Sequence, residues 1–566
     1  MSASSVFGIA LTGLSAAKAG ISTVSHNISN VNNKDFTRQT VVQNASAAQS
    51  FSFGYVGQGV QIMEVRRNYS DFLGQQVMQS NSDASFYSAY NNQISKVDNL
   101  FADSNAGLSS ALTDFFNAVQ DLSTQPNDST SRQNLLSTSG ALANRFNSLS
   151  QAMTDLRSGT NAQVATSVTS INSLTSQIAE VNKQVVFALN QGLGGGPPND
   201  LLDKRDALIK ELSGQVQTTI VKQNDGALNV FLGNGQAVVI KDKNFNLVAE
   251  RDPSNPEDMQ IGLRLNEGTV NEKIVQFAPG DLGTGALSGY LKFREGPLAK
   301  YQNGLGLIAA QLGAKMNEIN QSGVDQVGNP GLALFNSTGN SRAVSRTNNA
   351  GDAQVSVTSL DLSKLPGDDY ELTVKNGALA YRKLGTGDDF VNLPPLDSTT
   401  PPTYQLDGSV TFTLNGTPAE GDRYILMPTR DAAKNLKVIA TLPGQLATAK
   451  LAASPGDNSN VLEMAALQNT DVLYQFGTSA KGFSLSAAYN QLVSQIGNKT
   501  REIQTATAAR EAVLDQNTQA LQSASGVNLD EEAADLLKYQ QAYQAAGRVI
   551  SLSKELFDTV VSLMSS

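Results

Sequence analysis

The chain has one histidine, His26, and no cysteine among its 566 residues, so little side-chain chemistry is open to it. A two-histidine zinc helix is impossible, and a Ser-His-Asp triad would have to be built on His26. That residue is followed by Asn27-Ile28-Ser29-Asn30, an Asn-rich helix end where capping or solvent exposure is the expected role. Gly304-Leu305-Gly306-Leu307-Ile308-Ala309 matches the outline of a dinucleotide fingerprint. It lies inside a helical run rather than between a strand and a helix, which argues against a phosphate cradle. The acidic pairs Asp368-Asp369 and Asp388-Asp389 sit among turn residues and read as solvated loop charge. The stretch from Gly192 to Pro198 reads as a loop tip, since no Lys-Ser or Lys-Thr follows it. No catalytic residue, cofactor or metal site is expected, and the chain is not expected to be an enzyme.

The composition suits assembly better than chemistry. Hydrophobic residues make up 40% and aromatics 6%, with no Trp. The formal net charge of -10 repels phosphate backbones, and no basic cluster interleaved with aromatics is present, so nucleic acid is not an expected partner. The absence of cysteine excludes disulfides and thiolate metal sites. No apolar run is expected to reach the roughly twenty residues that cross a bilayer, and neither membrane insertion nor a cleaved secretory signal is expected.

The strongest periodicity lies at the two ends. Phe7, Leu14, Ile21 and Ile28 recur every seven residues, with Ala10, Ala17, Val24 and Val31 three positions later, the a/d seam of a coiled coil. Leu529, Leu536, Tyr543, Ile550, Phe557 and Met564 repeat the pattern near the other end. These columns, with Val31, are the candidate assembly interface. Both ends call for helical partners, each other and neighbouring subunits. A helix of about thirty residues rich in Ser, Gly and Asn is marginal alone, so the ends are expected to order on assembly.

Between the ends the chain reads as mainly α with inserted β. The first helix should stop near Asn32. Phe51, Phe53 and Tyr55 follow in an irregular stretch, before a short extended segment with Val60, Ile62 and Val65. Helical spacing then runs from Tyr69 to about Phe101, from Leu108 to before Pro126, and for roughly sixty residues after Asn127-Asp128-Ser129. Asn199-Asp200 can cap a short helix. Turn signals at Asn224-Asp225-Gly226 and Gly233-Asn234-Gly235 then mark a small antiparallel sheet over about 215–280. Helix returns from Tyr301 to Ile319, strands fill Val355 to about Ala440, and helix resumes from Leu485 to Leu521. The expected organisation is nested. Terminal coiled-coil segments 1–35 and 527–566 enclose a long-helix bundle domain, 36–345 completed by 450–526, with an all-β domain inserted at 350–445.

Several segments carry a family resemblance. Leu11-Thr12-Gly13-Leu14 through Asn27-Ile28-Ser29-Asn30-Val31-Asn32 resembles the N-terminal motif of flagellar axial proteins. Those usually end in Asn-Thr-x-Gly-Phe, whereas this chain has Asn32-Asn33-Lys34-Asp35-Phe36, so the Thr and the turn Gly are replaced. Gly526-Val527-Asn528-Leu529-Asp530, followed by Tyr539-Gln540-Gln541-Ala542-Tyr543-Gln544-Ala545-Ala546, is similar to the hook-associated protein 1 family. Asp200-Leu201-Leu202-Asp203-Lys204-Arg205-Asp206 and Tyr489-Asn490-Gln491-Leu492 agree with it. The resemblance does not extend over the β insert. It implies a structural adaptor at the junction of hook and filament, a homo-oligomer whose terminal helices line an annular layer. It further implies contact with the hook protein and a second junction protein, a chaperone on the C-terminal helix, and export by the flagellar type III apparatus to an extracellular site. A surface-exposed adhesin using the β insert is the competing class. Within the family the hook protein is the rival, and its Gln-Arg signature is absent here.

Overall fold

The computed structural model describes residues 3–565, apart from 52–53, 103–106, 192–195, 279, 337–340, 398–399, 451–455 and 475–481. Helix α1 is Ala3–Ser29. Its end falls three residues before the expected one, because Asn30 already turns out of the helix with its N–H shared between the His26 and Asn27 carbonyls. A strand, Gln39–Ala45, then pairs antiparallel with Val60–Arg67. Sequence reading found only the second of these, since the Gln, Asn and Thr of the first obscure its alternation. A short hairpin of Gln49–Phe51 with Gly54–Val56 lies between them, and Phe53 is outside the described residues.

Helices α2 (Asp71–Phe101), α3 (Leu108–Thr124) and α4 (Ser129–Asn190) build the body. Ser70 caps α2, and Asp128, from the expected trio, caps α4 by accepting from the Ser131 N–H at 2.8 Å. At 62 residues α4 is an unbroken rod of about 93 Å. Gly192–Gly195, the first part of the expected loop tip, lies outside the described residues.

Helix α5 (Asn199–Gln215) starts without a side-chain cap. Asn199 was expected to cap it. Its amide instead donates to Gln39 Oε1 and the Val65 carbonyl, tying α5 to the ribbon.

The expected small sheet is two sheets. One has four strands, Thr218–Lys222, Leu228–Leu232, Ala237–Ile240 and Lys243–Asn244, paired in chain order, and the other places Met259–Leu265 between Leu247–Arg251 and Lys273–Gln276. Both sheets pack against the distal half of α4. Val164, Val168, Ile171, Leu174 and Ile178 share one buried cluster there with Ile209, Leu212, Val230 and Leu263.

Helix α6 (Ala286–Phe293) runs through a π turn, Arg294–Leu298, into α7 (Ala299–Ser322). Sequence reading began this helix only at Tyr301, because Gly296-Pro297 looks like a break. The wider π turn accommodates the proline, which has no N–H to donate.

In the insert a five-stranded sheet runs Arg342–Ser345, Arg423–Met427, Tyr370–Lys375, Ala378–Lys383, Val391–Asn392. A three-stranded sheet places Val410–Asn415 between Gln354–Leu360 and Thr403–Leu406. Helices α8 (Ala432–Asn435) and α9 (Ser459–Ala466) lead back to α10 (Leu485–Ser525) and α11 (Leu529–Ser565). The insert does not close on itself. Tyr370, Leu372, Phe412 and Tyr424 belong to the same buried cluster as Phe115, Phe146, Leu307 and Leu492 of the helices.

The Gly304–Ala309 fingerprint lies within α7 and is wholly buried. Gly306 faces the Thr429 carbonyl so closely that a Cβ would overlap it, and Thr429 Oγ1 donates to the Asn303 carbonyl at 3.0 Å. The glycine therefore lets the insert lie against the helix, and it cradles no ligand.

The acidic pairs also divide. Asp388 and Asp389 are exposed, as expected. Asp369, expected as solvated charge, is 2% exposed and ion-paired with Arg430, while Asp368 meets Lys383 at 2.9 Å. The Asp369–Arg430 pair borders a buried ionic cluster in which Arg157 grips both oxygens of Asp258 at 2.8 Å. Arg294 bonds Asn161 and the Met259 carbonyl, each at 2.8 Å. Burial pushes the Asp258 carboxyl up, but the Arg157 and Arg294 guanidiniums outweigh it and hold the group below the usual carboxylate range.

Two outcomes are expected from this packing. Gly306→Ala should cost about 1–3 kcal/mol, read as a lower melting temperature, because a backbone carbonyl cannot step aside. Asp258→Asn should cost about 3–5 kcal/mol at neutral pH by leaving two arginines without their shared counter-charge. Because the folded-state pKa of Asp258 is depressed, its contribution is present above the unfolded carboxylate value of about 3.9 and is lost as pH falls through the folded value. Denaturant melts of both chains should therefore converge in acid.

Candidate assembly interface

Helices α1 and α11 pack antiparallel along their length. Gly13 lies opposite Ala546, Gly20 opposite the Tyr539 ring, and Asn27 opposite Glu532. Both sets step by seven residues, so one face of each helix meets the other. A Cβ added at Gly13 would lie 4.0 Å from that of Ala546, ordinary contact. At Gly20 a Cβ would lie 2.5 Å from the Tyr539 ring, so only glycine seats that ring.

The buried residues of α1 are Ala10, Ala16, Ala17, Gly20, Val24 and Asn27. Three of these, Ala10, Ala17 and Val24, form the second column of the expected seam. The first column is displaced to the flank. Phe7 is 43% exposed and Leu14, Ile21 and Ile28 are half-buried, as is Val31, the fourth residue of the second column, which lies beyond the end of α1.

The same holds on α11, where Glu532 and Ser553 are buried while Leu529, Tyr543 and Phe557 are exposed and Leu536 and Ile550 half-buried. The Met564 side chain lies outside the described residues. Small and polar residues thus make the contact within the chain, and the large apolar columns are left facing outward. Leu537, Leu552 and Leu556 widen the exposed stripe, while Val560 continues the column of Glu532, Tyr539, Ala546 and Ser553. Over Ser5–Ser29, α1 is long and apolar enough to cross a membrane, contrary to the expectation from sequence. Packing on α11 buries one face of it, and Phe7 and Leu11 stay exposed.

A polar joint fixes this stem to the body. Asn27 donates to the Gln39 carbonyl and to Glu532 Oε2, both at 2.9 Å, and accepts from the Gln39 N–H at 3.0 Å. Arg38 donates from Nε to Glu532 at 2.6 Å and from Nη1 to Glu531 at 2.5 Å, with Asp535 at 3.5 Å. Burial lowers the Arg38 pKa, and Glu532 and Glu531 more than restore it, so the guanidinium is held charged. The acids also occupy the first turn of α11, where the helix dipole favours negative charge.

On the other side Gln39 donates to Asp200 at 3.0 Å, and Arg67 grips Asp203 at 2.6 Å and Asp206 at 2.9 Å. His26 lies 3.3 Å from Asp200 with its ring edge against Phe36. It ties α1 to α5. The turn that lacks the family's glycine is made by a side chain: the Asp35 N–H donates to Asn33 Oδ1 at 3.2 Å. Asp35 is not among the residues with positive φ, so its replacement of glycine carries no strain.

A cavity of about 630 Å³ lies under this joint, lined in part by Phe36, Tyr69, Met78, Ile209 and Leu521. Among the charged groups around it Lys210 pairs with Asp35 and Lys222 with Asp71. Sequence reading missed Arg38, Gln39 and Glu532 as joint residues. The available signal was that Gly13, Gly20 and Asn27 keep step with Glu532, Tyr539 and Ala546, although glycine and polar residues carry no weight in an apolar periodicity.

The family described as flagellar basal body rod FlgEFG protein C-terminal matches residues 518–563, over α11 and the end of α10. The flagellar hook-associated protein FlgK helical domain matches residues 94–335. Flagellar hook-associated protein 1 of Escherichia coli is 32% identical over 99% of this chain and all of its own length, and that of Salmonella typhimurium is 31% identical over the same shares. The chain belongs to the flagellar hook-associated protein 1 (FlgK) family. The fold agrees with the flagellar hook junction protein FlgK from Burkholderia pseudomallei, at a TM-score of 0.71 and 24% identity over 79% of this chain and 99% of that one. These relatives are structural proteins of the flagellum.

The glycine seat gives a direct check. Gly20→Val should push the Tyr539 ring off α1 and weaken α11 docking by about 1–3 kcal/mol. Amide exchange along α11 should accelerate while the melting of the body stays unchanged.

Proposed function

We propose that this chain is a structural adaptor at the hook–filament junction, self-assembling into an annular layer whose inner wall is the α1–α11 pair. The observation that carries the reading is the outward apolar stripe. Phe7 and Leu11 on α1, with Leu552, Leu556 and Phe557 on α11, are each 43–57% exposed in the isolated chain. Full burial of each such side chain contributes about 1.5–3 kcal/mol, so neighbouring subunits supply what the monomer lacks. The helical body and β insert then project away from the wall. On this reading the hook protein meets one face of the layer and a second junction protein the other. A chaperone covers the same α11 stripe before type III export to the cell exterior.

Removal of residues 527–566 should leave a body that melts cooperatively but no longer joins filaments to hooks, seen by electron microscopy of a strain lacking the native chain. Leu552→Glu with Leu556→Glu should have the same effect with the melting temperature of the body unchanged. Filaments attached normally by the double variant would refute the wall, and unfolding of the truncated chain would place the stem in the monomer core. Limited proteolysis of the free chain should cut α11 beyond Ser553 before the body.

A further inference from the structure

Two uncharged apolar patches flank the five-stranded sheet of the insert, one at each edge. The first is built by the segments that precede the edge strand Arg342–Ser345 and follow its neighbour Arg423–Met427. Residues 326–336 and 438–449 hold no charged side chain. Val327, Leu332, Ile439 and Leu442 project from them, Val327 at 80% and Leu442 at 62% exposed. The Gln326 N–H donates to the Gly444 carbonyl at 3.2 Å and the Ile439 N–H to the Leu334 carbonyl at 2.9 Å, while the Asn320 side chain donates to the Leu332 carbonyl and accepts from the Ala447 N–H. The apolar side chains are thus held in place before any partner arrives, which lowers the ordering cost of docking.

The second patch is the opposite edge strand, Val391–Asn392, with the residues after it. Val391 and Leu396 are each 57% exposed, with Pro394 and Pro395 exposed between them. The segment is pinned by the Leu393 N–H on the Leu379 carbonyl at 2.8 Å and the Leu396 N–H on the Thr403 carbonyl at 2.7 Å. Its prolines have no N–H, so this edge offers a partner side chains rather than a strand ladder.

The rims of the two patches differ in sign. Lys434 and Lys437 lead into the first, where the Asn435 carbonyl takes the Asn336 amide at 2.8 Å, and Asp388 and Asp389 lead into the second. All four are exposed, and none is in an ion pair among the described residues.

We infer that these patches are the two halves of one contact between copies of this chain: the edge bearing Leu332 and Leu442 docks on the edge bearing Val391 and Leu396 of the next copy, with Lys434 and Lys437 facing Asp388 and Asp389. Unlike surfaces on opposite edges make a head-to-tail contact, the kind that repeats around a closed ring. Like patches would set lysine against lysine or aspartate against aspartate, and chains of formal net charge -10 approach best where charge is absent or of opposite sign. Each patch is on the order of 400 Å², about half of the roughly 800 Å² that one partner of a standard interface buries. The contact is therefore too small to hold free chains together, and it forms where another contact already keeps copies close. In the annular layer the terminal stems supply that proximity, and to that extent the inference rests on the junction reading.

Disulfide trapping of weak encounters tests the contact on the purified full-length chain, which has no cysteine of its own. Leu442→Cys and Leu396→Cys are prepared as two populations of different mass, mixed in equal amounts at millimolar concentration and oxidised mildly. The mixed dimer should exceed its random-pairing ratio to either homodimer several-fold. Lys434→Glu with Lys437→Glu in the first population should abolish the excess, and Asp388→Lys with Asp389→Lys in the second should then restore it. A mixed dimer at the random ratio, an excess of either homodimer, or an excess that does not follow the charge reversals overturns the inference. Filament attachment plays no part in this readout, so failure of the contact and failure of the junction reading are distinguishable.

Discussion

Everything between the two stem helices is a closed loop of chain whose ends meet at one hydrogen bond, from the Arg38 N–H to the Ser525 carbonyl at 2.8 Å. That meeting is the constraint on which the architecture depends. Once the body folds, its entry and exit lie side by side, so α1 and α11 pair without a further entropic cost of bringing distant termini together. The joint residues then convert proximity into orientation. Asn27 and Arg38 bind α11 to the first ribbon strand, and Gln39, Asn199 and Arg67 bind that ribbon to α5.

The division of labour between the seams follows from residue size. Within the chain, glycine, alanine and polar residues bring the two helices close, as the seat of Tyr539 over Gly20 requires. Larger apolar residues on the flanks are then only half-buried or exposed within the monomer. A stem that buried its leucines and phenylalanines internally would have none to offer a neighbour. The body behaves in the opposite way. Its two buried clusters run along α4 and draw in the sheets and the insert, and the ionic cluster around Asp258 links the helices to the strands.

Much of this was legible in the residues. The long run after Asn127 became α4 with Asp128 as its cap, and the Asn-Asp-Gly turn became a hairpin, because local signals of capping and turn chemistry act within a few residues. The helix across Gly296-Pro297 and the strand Gln39–Ala45 were not legible. A proline in a π turn and a polar strand held by a distant partner both depend on contacts that local patterning does not register. The terminal columns were found, but their facing was assigned by size: the eye follows Phe7, Leu14 and Leu529, while the contact follows Gly20, Asn27 and Glu532.

The sequence by itself determined that the ends are helical and heptad-spaced, that the middle mixes long helices with strands, and that one histidine and no cysteine leave little for catalysis. Those properties are set by periodicity and composition, which are written along the chain. Only the tertiary structure decided which face of each terminal helix is used inside the subunit, in which register, and which polar residues meet at the joint. A heptad repeat is the same every seven residues, so the position along it comes from contacts and chain connections outside the repeat. Among these contacts is that of Arg38, almost five hundred residues from Glu532 along the chain and 2.6 Å from it in the fold.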